Sequence, residues 1–107
     1  MRRIRLIPEY GAHPIWEWVE DGTEDVDPAE LPVSPDLRTA LMAWDAEFQE
    51  TFDKADPGAS TFQSTAAEED FERRGRALWW RLSEELRGVA DVSYYSVTEG
   101  RMVDSGQ

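Results

Sequence analysis

The stretch EDGTEDVDPAELPVSPD, from Glu20 to Asp36, sets seven carboxylates and three prolines together without a cation. Carboxylates at that density could hold a metal, share acid–base work, or present negative charge to a basic partner. A calcium loop of the helix–loop–helix kind spaces its oxygen ligands at alternate positions around a central glycine and closes with a glutamate. Asp21, Glu24, Asp25, Asp27 and Glu30 miss that register, because the glycine here is Gly22, directly after the first acid. Zinc is served by thiolate and imidazole, and the chain has one histidine and no cysteine. No metal and no other cofactor is therefore expected.

Acid–base catalysis has one candidate centre. His13, in YGAHPIW, has Glu9, Tyr10 and Glu17 near it in sequence, and a histidine held by a carboxylate can act as a general base. A lone histidine before a proline in a tight turn is first of all a turn residue. The chain has no nucleophile-elbow sequence and no glycine-rich phosphate cradle. Among 23 acids a pair of carboxylates can be drawn anywhere, so such a pair carries no signal. No catalytic residue is assigned, and the expectation is a protein that is not an enzyme.

The third use of the acids has the most behind it. The formal net charge is −12. It repels phosphate backbones and anionic lipid surfaces, which argues against direct nucleic-acid and membrane binding. It attracts and steers a basic protein. The charge is also segregated: residues 17–36 carry eight acids and no base, and residues 45–70 carry eight acids against Lys54. The arginines gather at Arg2, Arg3 and Arg5 and again at Arg73, Arg74, Arg76, Arg81 and Arg87. An acidity that served only solubility would mix its signs. Glu20, Asp21, Glu24, Asp25, Asp27 and Glu30 thus form a proline-stiffened negative surface for a partner. Two aromatic residues are candidates to anchor it. Trp79 and Trp80 point about 100° apart on a helix, and Tyr94 and Tyr95 point to opposite faces of a strand. One of each pair is left for the surface, and Trp80 and Tyr95 are the expected interface residues.

The elements that position these groups can be read from periodicity. RRIRL alternates Arg3 and Arg5 against Ile4 and Leu6, as a half-buried strand does. HPIWEWVEDG reads as a second strand, with Trp16 and Trp18 on one face, closed at Asp21-Gly22. The acidic stretch follows as an ordered crossing loop, since Pro28, Pro32 and Pro35 forbid continuous helix or central strand. Ser34-Pro35-Asp36 is a helix start, and Leu37, Leu41, Trp44, Phe48 and Phe52 form its apolar stripe. KADPGAS breaks that helix. Thr65 with Glu68 makes a capping-box pattern for a second helix, whose stripe is Phe71, Gly75, Leu78, Leu82 and Leu86. The expected spans are Pro35–Phe52 and Thr65–Arg87, packed as an antiparallel pair, with Trp44 or Phe48 lying close against Gly75. VADVSYYSV reads as a strand, TEGRMV as a short hairpin partner, and DSGQ as a frayed end.

The expected fold is therefore α+β, with a small, mainly antiparallel sheet of three or four strands and a helix pair on one face. Its order is β-β-α-α-β(-β), in one domain over residues 1–107. Leu41, Trp44, Phe48, Leu78 and Leu82 should form the core with Ile4 and Leu6. Nothing in the sequence has the apolar run of a signal peptide or a membrane helix, so a cytoplasmic protein is expected. Through RRIRLIPEYG and VDPAELPVSP the chain resembles small acidic proteins of high-GC actinobacteria, a likeness that implies no activity and no functional residue. Three readings of function stand in order. The first is an inhibitor of immunity or antitoxin type that covers the basic active site of a nuclease or other toxin. Another non-enzymatic binding role, as nucleic-acid mimic or accessory subunit, comes second, and a small enzyme third. Composition does not fix the oligomeric state.

Overall fold

Alternation in RRIRL is realised as strand β1 (Arg2–Leu6), in which Ile4 and Leu6 are buried. The structure, a computed structural model, describes residues 1–56, 58 and 60–103. The expected fraying of DSGQ thus falls outside the described residues. β2 (Ile15–Val19) runs antiparallel to β1, and β3 (Gly22–Val26) runs antiparallel to β2. A short 3-10 turn at Pro28–Glu30 leads to helix α1 (Pro35–Glu50), followed by α2 (Thr65–Glu85), β4 (Ala90–Ser96) and β5 (Arg101–Val103). The sheet order is β3-β2-β1-β4-β5, with β1 and β4 parallel and the remaining pairs antiparallel. A parallel neighbour needs a long crossover, and the helix pair supplies it. The α+β class, the helix pair and the mainly antiparallel sheet are as the sequence implies.

One expectation is corrected. The start of the acidic stretch is not loop but strand, which brings the sheet to five strands. Its prolines begin at Pro28, so Gly22–Val26 keeps every backbone N–H a strand needs. Acids are poor strand formers, but this strand is tied to β2 by a two-residue connection, Glu20-Asp21, which Gly22 closes at φ 138°.

The helices end earlier than their stripes suggest, at Glu50 and Glu85. Phe52 lies beyond the end of α1 and is exposed, its ring tilted against Tyr10 at 5.1 Å. The Ser34 hydroxyl accepts from the Leu37 N–H at 3.2 Å and caps α1 with Pro35 in its first turn. For α2 the cap is Ser64, one residue before the expected Thr65, and its hydroxyl accepts from the Ala67 N–H. The pair is antiparallel: Glu85 at the end of α2 accepts from the Ser34 N–H at 2.6 Å, while Arg74 reaches Glu47 at 2.5 Å.

The core lies between this pair and one sheet face. Leu37, Leu41, Trp44, Phe71, Leu78, Leu82 and Leu86 meet Ile4, Leu6, Ile15, Val92 and Tyr94. Phe48 is only half-buried at the rim, where Tyr10 stacks on it at 4.5 Å. Gly75 answers the expected close approach. A Cβ there would stand 2.6 Å from the Trp44 ring and 2.5 Å from the Tyr94 hydroxyl.

Candidate protein-binding interface

Each of the six candidate acids now has a place. Glu20 and Asp21 form the tip between β2 and β3, and Glu24 and Asp25 lie on β3, the edge strand. Asp27 caps the 3-10 turn, its carboxylate accepting from the Ala29 N–H at 2.9 Å, and Glu30 ends that turn. Val26, Pro28, Leu31 and Val33 are buried and pin the strip to the core between its acids. Glu20, Asp21, Glu24, Asp25 and Glu30 are exposed and Asp27 is half-exposed. The six acids thus follow one another along a sheet edge and the turn after it, with Glu24 and Asp25 on opposite faces of β3. Charged side chains on an edge strand also discourage pairing with other chains' strands.

His13 is the side chain that pairs with the strip. Its Nδ1 lies 2.7 Å from an Asp25 oxygen, and its backbone N–H donates to the other at 3.0 Å. Its Nε2 is 3.9 Å from Asp27. Asp25 thus fastens the loop before β2 to the end of β3, so the histidine paired with a carboxylate is found, although the partner is not one of its sequence neighbours. Among the described residues no group of three or more His, Cys, Asp or Glu side chains is placed to hold a metal ion.

The two aromatic candidates are held apart. Trp80 is 66 % exposed on the side of α2 turned away from the core. Tyr95 is half-buried on β4, on the sheet face that the helices leave open. Their sequence partners turn inward, as expected: Tyr94 is fully buried, and Trp79 stacks on it at 5.6 Å while donating to the Val92 carbonyl. The acidic strip, Tyr95 and Trp80 therefore occupy an edge, the open face and the helix layer.

Two buried acids and one open-face cluster escaped the sequence reading. Glu72 accepts from Ser96 Oγ at 2.9 Å, Tyr94 Oη at 3.2 Å, the Val97 N–H at 3.0 Å and Arg76 Nε at 2.6 Å. It clamps the end of β4 to α2, and burial beside this carboxylate pushes the Tyr94 hydroxyl pKa up. Asp45 is buried with Gln49 donating to it at 3.1 Å, and that burial raises its carboxyl pKa. Both lie at helical spacing from core residues, Asp45 four after Leu41 and Glu72 three before Gly75, and that spacing marks a buried acid. The open-face cluster is Arg3, Arg5 and Trp18, with the guanidinium of Arg5 4.2 Å and that of Arg3 5.6 Å from the centre of the indole ring.

The fold is a mixed five-stranded sheet with a helix pair on one face and clustered carboxylates on one exposed edge. The chain belongs to the Serratia CdiI immunity protein-like family, whose model matches residues 2–97. No curated protein matches the sequence. Its function is that of an immunity protein, which binds and inhibits a toxin partner. That match carries no information on the actinobacterial likeness. Among the described residues no helix is long and apolar enough to cross a membrane.

Proposed function

We propose that the chain neutralises its toxin in the cytoplasm by laying the strip Glu20, Asp21, Glu24, Asp25, Asp27 and Glu30 over a basic surface, the active site of a nuclease or other toxin. It does so as a single, non-enzymatic binding unit. The observation that carries this reading is the strip itself: six acids held on an edge strand and a capped turn, with no arginine or lysine paired to any of them among the described residues. Carboxylates fixed along a line can stand in for substrate phosphates, and their field speeds encounter with a basic partner. Tyr95 anchors the part of the interface that continues onto the open face, and Trp80 makes a separate contact from the helix layer. The corresponding test is kinetic. Glu24→Gln, Asp25→Asn and Asp27→Asn together should slow association with the cognate toxin and flatten its dependence on salt. An unchanged rate and an unchanged salt slope would reduce the strip to solubilising surface.

A further inference from the structure

The open sheet face carries charge that the acidic strip does not explain. Ten of the eleven cations are arginines, and Arg2, Arg73, Arg74, Arg76, Arg81, Arg87 and Arg101 each hold a carboxylate. Among the described residues no ion pair includes Arg3 or Arg5, although the chain has 23 acids to pair with. Arg3 stands in register with Asp91 on β4, yet its guanidinium leans towards Trp18, as that of Arg5 does. A guanidinium held against an indole keeps its orientation while its N–H edge stays free to donate. Arg3, Arg5, Trp18, Asp91 and Ser93 line an open groove of about 350 Å³.

We infer that this groove docks an aspartate- or glutamate-bearing segment of the toxin, as a second contact opposite in sign to the acidic strip. The inference rests on the immunity function and needs the toxin to be the partner. A planar carboxylate matches the guanidinium fork with two parallel hydrogen bonds. Asp91 in the lining repels a multiply charged phosphate more strongly than a single carboxylate. A second copy of the chain is disfavoured, because two molecules of charge −12 repel each other at long range. Contacts of opposite sign in one interface also fix orientation, since a toxin docked in reverse meets like charge at both.

The test uses the cognate toxin domain, co-expressed with this chain, purified as the complex and then separated. Arg3→Ala with Arg5→Ala should raise Kd at least tenfold at low salt and less at high salt. Arg3→Lys with Arg5→Lys should recover only part of the loss, because an ammonium has no fork. Wild-type affinity in a folded double-alanine variant would overturn the inference, and a loss independent of salt would overturn the carboxylate as occupant. If the double-alanine variant does not fold, hydroxyl-radical oxidation of Trp18 in the wild-type protein decides instead: it must fall on complex formation, and an unchanged rate overturns the site. The Glu24→Gln, Asp25→Asn, Asp27→Asn variant measured alongside separates the two readings. Loss of affinity only in the arginine variant keeps the groove and removes the strip, while loss only in the acid variant removes the groove.

Discussion

Gly75 shows how a single missing side chain sets the distance between layers. Alanine would gain about 1 kcal/mol of helix propensity there. Its Cβ would collide with the Trp44 ring and the Tyr94 hydroxyl, both inside the core. Overpacking of that kind costs about 1–3 kcal/mol. Gly75→Ala should therefore lower stability in chemical denaturation, whereas a rise would mean that the helix and sheet are less closely packed than described. Half of this contact was legible, because Trp44 lies on the facing stripe. Tyr94 was not, since no helical period tells which strand residue rises beneath a glycine. Buried Asp45 makes the opposite case. Its carboxyl is raised above the ordinary aspartate value of 3.8, chiefly by burial. The native state then binds its proton more readily than the unfolded state, so the site favours folding at low pH and loses that advantage as pH rises through the native value. Asp45→Asn should raise Tm at neutral pH while keeping the bond from Gln49, and the gain should shrink below the native pKa. An equal gain at all pH values would assign it to packing.

At the scale of elements, the apolar ladders were readable because each helix has only one sheet face to bury against. Leu41 and Leu78 are buried on facing helices, and truncating either to alanine should cost about 2–5 kcal/mol. An unchanged Tm in both variants would contradict the helix pairing. Strand β3 was unreadable for a physical reason: three of its five residues are Gly, Glu and Asp, and register with β2 overrides their weak preference. Glu72 looked like one acid among many, although its helical spacing from Gly75 puts it on the buried face, and it joins two elements. Glu72→Ala leaves the Ser96 hydroxyl and the Val97 N–H without their acceptor and should cost about 1–3 kcal/mol, as an unsatisfied buried polar group does. A loss below about 1 kcal/mol in denaturant titration would mean that the β4–β5 turn holds to α2 without it.

Over the whole molecule the charge is sorted rather than balanced. All four arginines of α2 pair with acids, and the edge strip has no ionic partner save the His13 contacts among the described residues. Hydrogen bonds from Arg2 to Glu17, from Arg74 to Glu47 and from the Ser34 backbone to Glu85 hold those three carboxyls below the ordinary 4.5. Their stabilisation is complete above that value and is lost as pH falls through the lowered native values, opposite in sign to Asp45. Segregation of charge was legible in the sequence, and so was a binding role. The open-face cluster was not, because the alternation in RRIRL and IWEWV was plain while the pairing that sets Arg3 and Arg5 beside Trp18 belongs to sheet register.

The central claim is that the strip from Glu20 to Glu30 meets the toxin, and amide hydrogen exchange of the complex tests it most directly. Outward N–H groups of edge strand β3 have no sheet partner beyond them and should exchange fast in the free protein. Binding should slow exchange across Gly22–Glu30. Exchange in that segment at the free-protein rate, with protection confined to another surface of the complex, would contradict the account.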